Sequence, residues 1–110
     1  MSVKDEDRIF TALAIRDTAD HNSLVVATAE FRAETILLEN GLDQAVTFQL
    51  QGSRNLTTWY DIGDTFNIAA TTNDYQTVTD YFPFYRLVAS CGISPTSGVL
   101  DVWILKARGI

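Results

Sequence analysis

Val46, Phe48 and Leu50 alternate with Thr47, Gln49 and Gln51, and this period of two most limits the folds open to the chain. Successive side chains of an extended strand point to opposite faces, so 45–52 has one buried face and one wet face. Similar short runs rich in Val, Ile, Thr, Phe, Tyr and Trp recur along the sequence, punctuated by Gly, Asn, Asp and Pro. They predict strands at about 8–16, 24–32, 34–39, 45–52, 57–62, 65–71, 75–81, 84–91 and 98–107. Helix is disfavoured because β-branched residues fill the runs and strong caps are missing. The expected fold is all-β: an antiparallel β-sandwich, jelly-roll or Ig-like, of about eight or nine short strands.

A chain of 110 residues has room for one core. Residues 1–7 read as a polar N-terminal lead and 8–110 as a single β-sandwich domain. The segment 1–16 is a candidate for adding a strand to a neighbour's sheet. Asn40-Gly41 supplies tight-turn chemistry, so Ile36–Leu38 and Val46–Leu50 are expected to form a hairpin. The loop 92–98, with Gly92, Pro95 and Gly98, likewise predicts antiparallel pairing of the last two strands.

Those last strands are apolar on both faces. Leu100, Val102 and Ile104 share one side of 98–107, and Asp101, Trp103 and Leu105 share the other. In 84–91, Tyr85, Leu87, Ala89 and Cys91 oppose Phe84, Arg86 and Val88. A second face of Phe84, Val88, Trp103 and Leu105 around an Arg86–Asp101 pair needs a cover. Another part of the chain can supply it, or a neighbouring subunit can, since exposed patches of this kind mark interaction sites. Trp and Arg are enriched in interface hot spots.

Signals for catalysis are missing. The net charge of −6 opposes nucleic-acid binding, which relies on Lys and Arg displacing phosphate counterions, and opposes docking on anionic lipid. No signal peptide and no membrane-spanning run are read, so a soluble chain is expected. Asn55-Leu56-Thr57 matches a glycosylation sequon that has no meaning without a secretory route. Cys91, the single cysteine, reads as a small buried hydrophobe, and His21 as a surface turn residue. One histidine and one distant cysteine do not make a zinc site, and no nucleophile elbow or phosphate-binding loop accompanies them. Asp61 and Asp64, and Asp74 and Asp80, bracket short segments where Asp is a routine turn choice. No enzyme activity, cofactor or metal is therefore expected. Aromatic residues Trp59, Tyr60, Tyr81 and Tyr85 keep a carbohydrate-binding module open as the alternative, because flat rings stack on sugars.

From about residue 35 onward the sequence carries Leu38-Glu39-Asn40-Gly41-Leu42-Asp43-Gln44, Val46-Thr47-Phe48-Gln49-Leu50-Gln51-Gly52-Ser53, Trp59-Tyr60-Asp61-Ile62-Gly63, Phe84-Tyr85-Arg86-Leu87 and Pro95-Thr96-Ser97-Gly98. In these elements, about two-thirds of the chain, it resembles small β-sandwich structural proteins of phages and prophages, such as decoration proteins and accessory head or tail proteins. The resemblance implies a non-enzymatic virion component used in many copies, as a homo-oligomer or bound to other virion proteins. No catalytic residue carries over.

Overall fold

The alternation of 45–52 holds in three dimensions: Val46, Phe48 and Leu50 are buried, while Thr47, Gln49 and Gln51 face outward. The computed structural model describes residues 4–27, 33–78 and 82–107. These form strands β1 (Lys4–Leu13), β2 (His21–Asn22), β3 (Val26–Ala27), β4 (Ala33–Asn40), β5 (Val46–Ser53), β6 (Tyr60–Ile68), β7 (Thr72–Val78), β8 (Phe84–Ser90) and β9 (Leu100–Ala107). No helix occurs among the described residues.

One antiparallel sheet runs β1-β9-β4-β7 and the other β2-β8-β5-β6, with β3 also on β8. If β2 and β3 count as one interrupted strand, consecutive strands change sheet at every connection except β5 to β6. That is the jelly-roll alternative rather than the Ig-like one. The inner faces meet over Ile9, Phe10, Ile36, Leu38, Phe48, Tyr85, Leu87, Val102 and Ile104, all buried. Phe48 and Phe66 stack with ring centroids 5.5 Å apart.

Two expected hairpins are corrected by this topology. β4 pairs with β7 and β9, whereas β5 pairs with β6 and β8, so Asn40-Gly41 opens an arch between sheets. β8 and β9 also lie in different sheets. The Asn40 side chain explains the first change. It is buried, donates from Nδ2 to the carbonyls of Gln44, Ile68 and Ala69 at 3.0–3.2 Å, and accepts from Leu42 N at 3.1 Å. A turn residue that satisfies backbone groups from two connections holds the sheets together instead of folding one back on itself.

The arch after β8 packs on the same end. Gly41 N donates to Val99 O, and the Asp43 carboxylate accepts from the Thr96 amide at 2.9 Å. Gly98 has φ +87°, and a Cβ there would sit 1.9 Å from Gly41 O, so only glycine fits.

The lead 1–7 is corrected in part. Residues 4–7 are strand and pair with 104–107 of their own chain, so β1 is the edge of its own sheet. Residues 1–3 lie outside the described residues. The strands expected at 57–62 and 65–71 are one strand, β6, irregular where 63–65 stand opposite Gln49 and Gly63 takes φ +66°.

Candidate functional site: the two outer faces

The buried rows of β4, β8 and β9 place their alternate residues on the outside. On the β1-β9-β4-β7 sheet, the cross-strand register lines up Arg8, Trp103, Leu37 and Tyr75 in one row across all four strands. Leu105 and Thr35 form the adjoining row. Trp103, Leu37 and Leu105 are half-buried, and Tyr75 is 63% exposed. The Arg8 guanidinium sits 5.0 Å from the centre of the Trp103 ring. It also pairs with Asp101, whose Oδ1 accepts from Ala12 N at 2.7 Å. Ala12 has φ +45°, so Asp101 holds a strained irregularity of β1 in place.

The outer face of the β2-β8-β5-β6 sheet is polar. Its rungs follow the register: Arg86 beside Gln51 and Asp61, Val88 between Asn22 and Gln49, and Ser90 beside Thr47 and Asn67. Gln51 Oε1 accepts from Arg86 Nε at 2.8 Å, and its Nε2 donates to Asp61 Oδ1 at 2.9 Å. Arg86 also lies over the Trp59 ring, 4.2 Å from its centre.

The single face expected from Phe84, Arg86, Val88, Asp101, Trp103 and Leu105 is therefore two faces on opposite sides of the sandwich. Phe84, Arg86 and Val88 are on β8, whereas Asp101, Trp103 and Leu105 are on β9 of the other sheet. The Arg86–Asp101 pair does not form, because Arg8 takes Asp101 and Gln51 takes Arg86. Sequence reasoning missed Arg8 and Leu37, and did not place Tyr75 on this face. The signal for Leu37 was present: Ile36-Leu37-Leu38 is an unbroken apolar run, and in a strand its middle residue must face the opposite side.

The aromatic set also separates. Tyr85 is 1% exposed and its hydroxyl accepts from Phe82 N at 2.9 Å, so its ring belongs to the core. Tyr60 is 51% exposed and leans on Phe82 at 6.2 Å. Trp59 is taken up by Arg86, and Tyr81 lies outside the described residues. No shared stacking platform joins Trp59, Tyr60 and Tyr85.

No cluster of three or more His, Cys, Asp or Glu suited to a metal is found among the described residues. His21 Nε2 meets Asp17 Oδ1 at 2.8 Å on the surface, and this bond holds the Asp17 carboxyl below its ordinary value. Cys91 is buried, which raises its thiol pKa and leaves it a poor nucleophile. Asp61 is held by Gln51, and Asp74 Oδ1 accepts from the Tyr75 amide at 2.8 Å. At the far end of the core, Glu34 Oε2 is buried without a hydrogen-bond partner among the described residues. Lys106 stands opposite in register, but its Nζ pairs with Asp7 Oδ2 at 2.6 Å. Desolvation raises the Glu34 pKa to about 7, against the pull of Lys106.

Two solved structures share the architecture. XepA, described as a PBSX exported protein, matches with a TM-score of 0.74 at 18% identity, over 98% of this chain and 38% of that one. PirA matches with a TM-score of 0.54 at 11% identity, over 96% of this chain and 93% of that one. The chain thus spans 38% of the length of the XepA chain. Identities this low establish a common fold. No family model matches the sequence, and no curated protein does.

Proposed function

We propose that this protein is a non-enzymatic structural subunit of phage or prophage origin, which assembles with copies of itself through the outer face of the β1-β9-β4-β7 sheet. The observation that carries the proposal is the row Arg8–Trp103–Leu37–Tyr75, flanked by Leu105. Arg8, Trp103 and Tyr75 are of the residue types enriched where interfaces bind most strongly, and the row crosses the whole width of one sheet. The fold shared with a PBSX exported protein supports the phage-related part of the reading. A role as a capsid decoration protein or accessory head or tail component, located in the virion, is the specific form we favour.

Assembly by faces is favoured over assembly by edges. Edge strand β6 carries Asp61, Asp64 and the Gly63 irregularity, β7 carries Asn73 and Asp74, and β1 carries Glu6, Asp7 and Arg8. Charges and bulges of this kind discourage a second chain from continuing a sheet.

Light scattering of the purified chain across a concentration series tests the proposal. A discrete multimer or a growing polymer is expected, and Trp103→Glu should return it to monomer with unchanged secondary structure. A native chain that stays monomeric at every concentration overturns self-assembly.

A further inference from the structure

We infer that the polar groove on the outer face of the β2-β8-β5-β6 sheet binds a neutral oligosaccharide. This site is on the opposite side of the sandwich from the Trp103 row, and it stands or falls independently of self-assembly. The groove holds about 370 Å³. Its walls are carboxamides and hydroxyls: Asn22, Gln49 and Gln51, with Thr47, Thr65 and Ser90. One cation, Arg86, and one anion, Asp20, complete the polar lining, so their formal charges cancel.

That inventory selects the ligand class. A phosphate or sulfate ligand calls for a surplus of cationic donors, and the groove has none. An apolar ligand calls for apolar walls, and Val88 is the single aliphatic side chain in the lining. Sugar hydroxyls donate and accept at once, which is what carboxamides and hydroxyls can answer. Val88, at the centre of the three rungs, offers a contact to the C–H face of a sugar ring.

The groove is also built in advance of any ligand. Gln51 is held at both ends of its amide by Arg86 and Asp61. Gln49 Nε2 donates to the carbonyl of its neighbour Leu50 at 2.9 Å and into the β6 irregularity, to the carbonyls of Ile62 and Gly63 at 3.3 and 3.4 Å. Its Oε1 has no partner among the described residues and is the end left to accept a sugar hydroxyl. Thr47 Oγ1 donates to Asn67 Oδ1 at 2.6 Å, which leaves its lone pairs as acceptors. Side chains already fixed lose little rotamer freedom on binding, and that preserves affinity.

The test is an array of neutral and anionic oligosaccharides probed with the full chain, followed by calorimetry with cellohexaose, maltohexaose and chitohexaose. Saturable binding of at least one neutral saccharide is expected. It should weaken at least tenfold in Val88→Glu and in Gln51→Ala, each with unchanged secondary structure by circular dichroism, while Trp103→Glu binds as the native chain does. Two groove variants are used so that a folding defect in one does not decide the matter. Absence of saturable binding overturns the inference. So does binding restricted to sulfated or uronic saccharides, and so does binding that both groove variants leave intact.

Discussion

The two outer faces of this sandwich come from the same strand alternation but have opposite needs. On the β2-β8-β5-β6 face, side chains satisfy one another: Gln51 joins Arg86 to Asp61, and Thr47 joins Asn67. Covering that face with protein removes water from amides already paired, which costs free energy unless each lost contact is replaced. On the β1-β9-β4-β7 face, Trp103, Leu37, Leu105 and Tyr75 gain roughly 25 cal/mol for each Å² of apolar surface removed from water. In the proposed assembly, the first face would be stabilised by a flat apolar partner, and the second would need a partner that supplies hydrogen bonds. The contrast teaches that an outward alternation says nothing of purpose until the chemistry of the whole row is known, and rows are assembled by register across strands distant in sequence.

The most severe way to break the contrast is to remove the frame that both faces share. Gly98→Val places a side chain into the Gly41 carbonyl at a left-handed φ, and is expected to cost more than about 4 kcal/mol. Chemical denaturation should show it, with self-assembly and saccharide binding lost together. A variant that loses just one of the two would show that the faces do not depend on a common frame.

Next in size is the exchange between faces. Trp103→Glu should weaken self-association at least ~100-fold, equivalent to about 3 kcal/mol, whereas Val88→Glu should leave the solution mass unchanged. Equal effects of the two variants on mass would erase the distinction.

A smaller effect separates stability from either face. Glu34 lies in neither, and its folded pKa is raised from 4.5 to about 7. The folded state thus binds more protons than the unfolded chain between those values, and stability should fall as pH rises through that window. Below about pH 4.5 the carboxyl is protonated in both states and the penalty is absent; above about pH 7 it is fully present. The loss should amount to about 1–2 kcal/mol. Melting curves from pH 4.5 to 8 should show this slope, and Glu34→Gln should flatten it. A slope that survives in Glu34→Gln would place the titration elsewhere.

The smallest expected change is at Arg8. Arg8→Ala removes a partly exposed ion pair and a contact with the Trp103 ring, for about 0.5–1 kcal/mol in stability. Added salt should shrink the difference between Arg8→Ala and the native chain. Insensitivity to salt would mean that ring packing, rather than charge, accounts for it.

Strand content was legible in the sequence because burial leaves a period of two, and Val46–Leu50 and Leu100–Ile104 keep it cleanly. Pairing was not legible. Asn40-Gly41 has the composition of a hairpin turn, yet the same asparagine amide can bond carbonyls from residues 68 and 69, which local sequence does not foretell. For the same reason the outer-face residues of β8 and β9 were read correctly as outward but wrongly as neighbours. Trp103 was found; its row partners Leu37 and Tyr75 are 66 and 28 positions away, a separation that only register can close.

The place of β9 has a consequence for how the molecule comes into being. It is the last of the described strands in chain order, yet it lies between β1 and β4 and is what joins them. Until Leu100–Ala107 has left the ribosome, the earliest strand has no partner in its sheet and β4 lacks one of its two ladders. That sheet therefore cannot close before β9 has emerged. The closure joins residues as far apart as Arg8 and Trp103, the kind of non-local pairing that makes β-proteins slow folders.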